Sequence, residues 1–302
     1  MESFREIIST ELQKNRPNLS AASITTYVSG LTNLAKQMDG EKSLQWFSDA
    51  RQSILAHLKD AAPSKRKGTL SALFVLTGIQ DFRDAMIADC KTVTDDYKRQ
   101  TKSEKEAENW ISPADIERVY ASLQAKATKS KFAVKQVFQD FLLVGCVGGV
   151  NGLAPRRCMD YALMKIRNFG KDDNFYKCGT KGNPSIFSFS QYKTAKAHGT
   201  QVVEVPKELD KYIAKWIKMN ETDFMFPTST GTQPQSSFIT KSLNRIFQKE
   251  LDTTKNVSVD ILRHVFITNF YKNTPALKEM TDLADSMGNT VMTQLTQYVK
   301  KD

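Results

Sequence analysis

Residues 261–268 read ILRHVFIT, residues 284–289 read ADSMGN, and Tyr298 follows nine residues after the second stretch. The first stretch has the spacing of an apolar helix, yet it carries an arginine, Arg263. A guanidinium can donate two parallel hydrogen bonds to a phosphate, and a phenol can attack a phosphate and hold it covalently. The carboxyl-terminal part of the chain therefore combines a phosphate-binding group with a nucleophile at a fixed spacing.

The composition is that of an ordinary globular protein with an excess of positive charge. The 302 residues are enough for two domains, and 40% are hydrophobic and 25% charged. The formal net charge is +10 and the isoelectric point is about 9.3. Residues 1–100 hold 14 Lys and Arg against 12 Asp and Glu, whereas the remaining 202 residues hold 29 against 21. Such a balance favours polyanionic partners, and most of the excess lies in the part that contains Arg263 and Tyr298.

Cysteine, histidine and hydropathy patterns exclude several other classes. The four cysteines lie far apart without a Cys-x-x-Cys pair, and there are only three histidines, so we expect no metal site. Reduced thiols are typical of an intracellular protein, in the cytoplasm or the nucleus. No apolar run reaches the length of a membrane span, and the amino terminus lacks the apolar stretch of a signal peptide. We therefore expect no membrane partner, and the choice of compartment stays open.

The periodicity predicts a mainly α-helical chain with a small antiparallel β-sheet. Residues 1–97 are predicted as a helical domain, residues 98–109 as a charged linker without apolar periodicity, and residues 110–302 as a second domain. Alternating residues predict three short strands, at 174–178, 185–192 and 201–205. Helices of the second domain are predicted to start at Ser112-Pro113 and to cover 131–147, 155–166, 207–219, 236–250, 258–271 and 277–287.

A basic segment precedes a predicted helix of the first domain. Residues 63–68 read PSKRKG, which predicts a turn that holds Lys65, Arg66 and Lys67. The cluster is either a solvated loop or a contact for DNA phosphates at a helix start. The sequence leaves both interpretations open.

Arg263 and Tyr298 each have a structural alternative to a functional role. A charge on a core-facing helix needs a partner, so Arg263 could instead form a buried ion pair. Tyr298 could be a surface aromatic residue in a frayed tail. The spacing of Tyr298 from Met287-Gly288 favours a functional tyrosine.

These motifs resemble those of the tyrosine recombinases, the integrase family, which cut and rejoin DNA through a 3′-phosphotyrosine. The neighbours of Arg263 resemble the family's second arginine motif. Residues 151–160, NGLAPRRCMD, resemble the first, which reads Thr-Gly-Leu-Arg with an acid three residues on. The resemblance implies that Tyr298 is the nucleophile and that Arg157 and Arg263 hold the phosphate.

Two further residues belong to the implied site, and two basic residues are rivals for roles in it. Asp160 lies three residues after Arg157, one helical turn away, and is expected to orient its guanidinium. Arg156, four residues before Asp160, is the rival for the phosphate and a candidate DNA contact. Lys193 begins a turn after a predicted strand, and the family carries its catalytic lysine on such a β-hairpin. The resemblance implies that Lys193 protonates the leaving oxygen, with Lys196 as runner-up and candidate DNA contact.

The chain departs from the family pattern at two positions. The usual histidine three residues before the second arginine is Asp260 here, and the usual His or Trp after Gly288 is Asn289. An anion at 260 is unfavourable beside a phosphate unless it pairs with Arg263 or points away. Asn289 keeps a hydrogen-bond donor for a phosphate oxygen but supplies no charge. His264 is a candidate DNA contact.

The likeness is strongest to divergent integrases of large DNA viruses and their satellite elements. It implies an enzyme that cleaves and rejoins double-stranded DNA, without a metal ion or cofactor. Residues 1–97 would bind core DNA, residues 110–302 would carry catalysis, and the two would close around the duplex. A homotetramer on two DNA sites is expected for recombination. Two alternatives stay open: a catalytically silent DNA-binding protein derived from a recombinase, and a monomer that relaxes DNA as type IB topoisomerases do.

Overall fold

The computed structural model describes residues 3–129 and 135–301. The chain forms two compact units, Met1–Arg99 and Gln100–Asp302. Within the described ranges the secondary structure is mainly helical with one small sheet, which confirms the predicted fold class. No helix in those ranges is long and apolar enough to cross a membrane.

The first unit is built from helices that each bury one apolar face. Ser3, Ser20 and Ser43 cap three of them, because each serine side chain accepts a hydrogen bond from the amide three residues on. Buried aliphatic and aromatic side chains between the helices form the core of this unit. The helices are α1 (Phe4–Asn15), α2 (Ala21–Gln37), α3 (Leu44–Asp49), α4 (Arg51–Leu58), α5 (Pro63–Thr77) and α6 (Gln80–Lys98).

The segment predicted as a basic turn lies inside helix α5. The helix continues through it because proline suits the first helical position, Lys and Arg favour a helix, and the single glycine costs only about 1 kcal/mol. Arg66 donates from Nε and Nη2 to the carboxylate of Asp89 on α6, at 2.7 and 2.5 Å. Asp89 is buried, so this pair joins α5 to α6 and engages the guanidinium of Arg66 within the first unit. Lys65 is exposed and Lys67 is partly exposed.

The second unit combines a helical core with one short sheet. Helix α9 is buried along most of its length and packs against α8, α12 and α13. The prediction for this helix included residues 131–134, which lie outside the described residues. The helices are α7 (Glu104–Asn109), α8 (Pro113–Thr128), α9 (Lys135–Val147), α10 (Cys158–Ala162), α11 (Ala195–His198), α12 (Lys207–Met219), α13 (Ser236–Leu251), α14 (Val259–Tyr271), α15 (Leu277–Ser286) and α16 (Val291–Thr293), followed by a π-helical turn (Gln294–Tyr298).

The sheet is mixed, which corrects the prediction of a purely antiparallel one. Strands β2 (Asn174–Lys177), β3 (Ile186–Phe189) and β4 (Gln201–Glu204) pair antiparallel in that order, whereas β1 (Met164–Lys165) pairs with β2 in parallel. The helix predicted over 155–166 therefore spans only α10. Met164 and Ile166 are buried on either side of a partly exposed residue, an alternation too short to stand out in the sequence.

Residues 98–109, predicted as a linker, are folded. Ser103 caps α7, and its backbone amide donates to the carboxylate of Glu106 at 2.8 Å. The side-chain oxygen of Asn109 accepts from the amide of Asn256 at 2.6 Å, within the second unit. Most charged side chains of this segment are exposed, so its composition marks the solvated face of folded structure rather than an extended chain.

Candidate active site

Arg263 lies on the buried face of α14 and is fully buried. Its Nη1 donates to the carbonyl oxygen of Pro155 at 2.9 Å, and its Nε has no hydrogen-bond partner within the described ranges. Asp260 is exposed and forms no ion pair with Arg263. Burial lowers the pKa of Arg263, but a guanidinium starts so high that it keeps its charge. The alternative of a buried ion pair is therefore not observed, and a buried cation with an unused donor suits an anionic ligand.

Tyr298 packs directly against Arg263. The central guanidinium carbon lies 4.8 Å from the centre of the tyrosine ring. Tyr298 is only 9% exposed and ends the π-helical turn. Its carbonyl oxygen contacts Nδ1 of His264 at 3.0 Å and accepts from the hydroxyl of Thr268 at 3.3 Å. The residue is held inside the unit, so the alternative of a surface aromatic residue in a frayed tail is not observed.

Asn289 supports Arg263. With its amide oriented to match its neighbours, its oxygen accepts from Nη2 of Arg263 at 3.2 Å and its nitrogen donates to the carbonyl of Ala284 at 3.2 Å. Asn289 is buried, and Gly288 before it has a positive φ of 63°, which favours glycine. The sequence suggested that the amide of Asn289 donates to a phosphate oxygen. In this conformation its nitrogen instead donates to Ala284, and its oxygen orients the arginine.

Arg156 and Asp160 form a buried ion pair beside the site. Nε of Arg156 donates to Oδ2 of Asp160 at 2.9 Å, and both side chains are at most 1% exposed. The guanidinium carbon lies 4.1 Å from the centre of the Phe189 ring and 4.9 Å from that of Tyr192. Its Nη1 donates to the side chain of Gln201 at 2.7 Å and to a backbone carbonyl at 2.6 Å. Arg156 therefore acts as an internal support for β3 and β4.

The predicted pairing of Arg157 with Asp160 is wrong, because Arg156 takes that carboxylate. Arg157 precedes α10 with an extended backbone, φ −70° and ψ 156°, so the spacing of a helical turn does not apply to it. Its Nη1 instead donates to the carbonyl oxygen of Gly288 at 3.1 Å. Arg157 is partly exposed, whereas Arg156 is buried and its Nη2 has no hydrogen-bond partner within the described ranges.

The turn that carries Lys193 meets the same carbonyl. The hydroxyl of Thr194 donates to the oxygen of Gly288 at 2.9 Å, next to the contact from Arg157. Lys193 and Lys196 are both exposed on the connection between β3 and β4, which contains α11. The structure thus brings the hairpin to the edge of the site and leaves both lysines accessible.

The site carries an excess of positive charge. Burial raises the pKa of Asp160, and the charges of Arg156, Arg157 and Arg263 all act on this carboxyl in the opposite direction. Three guanidiniums therefore act on the carboxyl of Asp160, and only Arg156 is in direct contact with it. Such a surplus stabilises a phosphate and, still more, the extra negative charge of a phosphoryl-transfer transition state.

His264, a candidate DNA contact in the sequence, is engaged inside the protein. Its Nε2 lies 3.2 Å from Oε1 of Glu106, and its ring centre is 4.9 Å from that of Tyr298. Burial lowers the pKa of His264. Both ring nitrogens face protein atoms, so the ring is not available to DNA in this conformation.

Three residues at the site carry no functional signal in the sequence: Glu106, Gln201 and Lys300. Gln201 joins Arg156 to the carbonyl of Asp285, and Lys300 pairs with Glu106 at 3.3 Å. Glu106 stands among charged residues that look solvated, and nothing in the sequence marks it. Lys65, Arg66 and Lys67, by contrast, belong to the first unit.

Solved structures similar to this chain match it over almost its whole length. The Tn1549 transposon integrase, in complex with transposon right end DNA, has a TM-score of 0.53 and 14% identity, covering 98% of this chain and 95% of that one. The XerH site-specific recombinase bound to its difH substrate, in a pre-cleavage complex, has a TM-score of 0.51 and 12% identity, covering 100% and 93%. This chain has the fold of the tyrosine recombinases.

The post-cleavage complex of XerH on a palindromic difH substrate gives a TM-score of 0.50 at 12% identity, covering 97% of this chain and 91% of that one. Comparison of the sequence with protein-family models gave no match, and comparison with curated protein sequences gave none either. The matches to solved structures confirm the fold that the sequence motifs indicated.

Proposed function

We propose that this chain cleaves and rejoins double-stranded DNA, with Tyr298 as the nucleophile and a 3′-phosphotyrosine as the intermediate. The observation that carries the proposal is the contact of Tyr298 with the buried guanidinium of Arg263, at 4.8 Å. Nucleophile and cation are already together, as phosphoryl transfer requires. The shared fold supports the proposal, since the XerH and Tn1549 structures were solved with DNA.

In the proposed reaction the phenol oxygen of Tyr298 forms a bond to phosphorus and gives up its proton to water. The bond from phosphorus to the 5′-oxygen breaks, and Lys193 donates a proton to that oxygen. Arg157 and Arg263 stabilise the charge of the transition state, and Asn289 holds Arg263 in place. Attack of a free 5′-hydroxyl on the phosphotyrosine reverses these steps, so the covalent bond conserves the energy for rejoining and no ATP or metal ion takes part.

The first unit is proposed to bind duplex DNA, with Lys65 and Lys67 as phosphate contacts. Strand exchange between two DNA sites is proposed to use four copies of the chain, as the sequence resemblance implies. The second candidate function is a catalytically silent DNA-binding protein. It is favoured by Asp260 and Asn289, which replace the imidazoles usual at those positions.

Covalent trapping tests the proposal. A library of nicked duplexes with randomised sequence is incubated with the protein in EDTA, and DNA-linked protein is isolated under denaturing conditions. A nick just beyond the cleaved bond lets the short piece that carries the new 5′-hydroxyl dissociate, so the adduct cannot be rejoined and accumulates. We expect an adduct that Tyr298→Phe abolishes and that the matched control Tyr97→Phe, at an exposed tyrosine of the first unit, leaves intact.

The outcomes separate the candidates. Binding without any adduct, in EDTA and with Mg²⁺ added, would refute the proposed chemistry and favour the silent protein. An adduct that forms with Tyr298→Phe would assign the nucleophile to another residue. An adduct with relaxation of supercoiled DNA, but no exchange between two copies of the selected site, would favour the topoisomerase alternative.

A further inference from the structure

The tail that carries Tyr298 is fastened to the first residues of the second unit. The side chain of Gln100 donates to the carbonyl of Leu295 at 2.7 Å, and the amide of Lys301 donates to the carbonyl of Gln100 at 2.8 Å. Thr101 pairs with Lys301 as a parallel bridge. These contacts hold the chain immediately before and after the tyrosine.

Glu106 is the charged centre of this attachment. Its Oε1 lies 3.2 Å from Nε2 of His264 and 3.3 Å from Nζ of Lys300. Its Oε2 accepts from the backbone amide and the hydroxyl of Ser103, at 2.8 and 2.9 Å. Because both carboxylate oxygens are in use, the side chain is held in one orientation.

The partners of Glu106 lead directly to the nucleophile. His264 lies between Glu106 and Tyr298, with Nδ1 3.0 Å from the tyrosine carbonyl and its ring against the tyrosine ring at 4.9 Å. Lys300, two residues after Tyr298, is buried, and its amide donates to the hydroxyl of Thr268 at 3.0 Å. One carboxylate therefore holds the tyrosine indirectly, through His264 beside its ring and through Lys300 in the chain that follows it.

We propose that Glu106 is a positioning residue for the nucleophile. Through His264 and Lys300 it holds residues 294–301 so that the ring of Tyr298 stays over Arg263. This inference rests on the proposed function, but it assigns a role to a residue that touches neither the phosphate nor the reacting oxygen. Loss of the carboxylate should loosen the tail and slow covalent attachment, while DNA affinity and the core of the unit stay unchanged.

The test compares Glu106→Gln with Glu108→Gln, which removes the same charge from an exposed position on the same helix. Hydrogen exchange of a peptide covering 295–301 is measured in the DNA-free protein, with α9 as an internal reference. We expect exchange in the tail to rise on the order of tenfold in Glu106→Gln, since hydrogen bonds to a charged group are lost. Exchange in α9, and in both segments of Glu108→Gln, should stay at the wild-type rate.

The second readout is the single-turnover rate of adduct formation at saturating DNA. It should fall about tenfold in Glu106→Gln without a change in DNA affinity, because the loss concerns the position of the nucleophile. Glu106→Asp, which keeps the charge on a shorter side chain, should recover part of the rate. Lys300→Met should loosen the tail in the same way, since it removes one of the two partners.

Each failure points to a different conclusion. Unchanged tail exchange in both Glu106→Gln and Lys300→Met would overturn the positioning role, whatever the DNA assay gives. Equal rises of exchange in the tail and in α9 would overturn it as well, because Glu106 would then support only the fold. A wild-type protein that forms no adduct would refute the proposed function, and the exchange data would still decide whether Glu106 holds the tail.

Discussion

The guanidinium of Arg263 faces the ring of Tyr298, with 4.8 Å between the central carbon and the ring centre. The arginine itself is held from other sides by the carbonyl of Pro155 and the amide of Asn289. A charge that is fixed before the substrate arrives needs no reorganisation when negative charge develops on it. The same contact also places the tyrosine beside the phosphate that the arginine would bind.

Arg263→Ala should therefore reduce cleavage far more than binding. We expect the single-turnover rate of adduct formation to fall by about 10²- to 10³-fold, the usual effect of losing one group that stabilises a transition state. DNA affinity should change only slightly, because one phosphate contact among many is lost. The rate is measured on the trapped duplex and the affinity by fluorescence anisotropy. Equal losses in both would mean that Arg263 is only a binding residue; exposed Arg118→Ala is the control.

Substitution of Arg156 should affect mainly stability, whereas substitution of Arg157 should affect mainly the reaction. Arg156→Ala leaves Asp160 buried and unpaired, which should lower the free energy of unfolding by about 3–5 kcal/mol. Arg157→Ala breaks only a partly exposed contact with the Gly288 carbonyl. It should keep its stability within about 1 kcal/mol and still lose most of the adduct. Urea unfolding and covalent trapping measure the two effects, and the reverse assignment would make Arg156 the phosphate ligand.

His264 should make stability depend on pH. Its folded-state pKa is lowered by burial, so below the pKa of a free histidine, about 6.5, the unfolded chain binds more protons than the folded one. The stabilising contribution is complete above that pH and is lost as the pH falls towards the lowered value. The lowered pKa of Glu106 acts in a separate window, below about pH 4.3.

Urea unfolding of the wild type and of His264→Phe between pH 5 and 8 tests this dependence. Phenylalanine keeps a ring beside Tyr298 but does not titrate, so the loss of stability below about pH 6.5 should be smaller in the variant. His57→Phe, at an exposed histidine of the first unit, is the matched control. The same slope in all three proteins would exclude His264 as its source.

The sequence predicted the parts of the site that depend on local pattern. The apolar spacing around Arg263 defines α14 with its buried face, and Ser258 caps it. The interval from Gly288 to Tyr298 is short, so chain connectivity keeps these two residues in the same part of the unit. Lys193 was correctly placed between two strands because alternation and turn residues are local signals as well.

The errors arose where partners are distant in sequence or a boundary shifts by one residue. Arg156 and Arg157 differ only in where α10 begins, and that start decides which side chain reaches Asp160. Arg66 looked like a surface cation because Asp89 follows 23 residues later on another helix. Glu106 looked solvated because its partners, His264 and Lys300, lie more than a hundred residues away. Periodicity carries no information on such contacts.

Arg66 should accordingly be a stability residue of the first unit. Arg66→Ala leaves the carboxylate of Asp89 buried, and because Arg66 is itself partly exposed we expect a loss of about 3 kcal/mol in unfolding free energy. Lys65→Ala and Lys67→Ala should keep their stability and weaken DNA binding, with a smaller dependence on salt. Stability is measured by urea unfolding and affinity by salt titration. Wild-type stability in Arg66→Ala would show that the pair is dispensable.

The role of Lys193 can be tested by changing the leaving group. If Lys193 protonates the 5′-oxygen, Lys193→Ala should slow adduct formation by about 10²- to 10⁴-fold on ordinary DNA, the usual contribution of a general acid. A duplex with sulfur in place of that oxygen releases a thiolate, which is stable without a proton because a thiol has a pKa near 8.5. Lys193→Ala should then react with the sulfur substrate almost as fast as the wild type does.

Lys196→Ala supplies the comparison, since this lysine is exposed on the same connection between β3 and β4. It should bind DNA more weakly and give the same ratio of rates on the two substrates as the wild type. Rescue of Lys196→Ala and not of Lys193→Ala would move the acid three residues along the chain. Rescue of neither, with both slow on oxygen and sulfur alike, would mean that the hairpin acts on the phosphate by charge and that the proton comes from elsewhere.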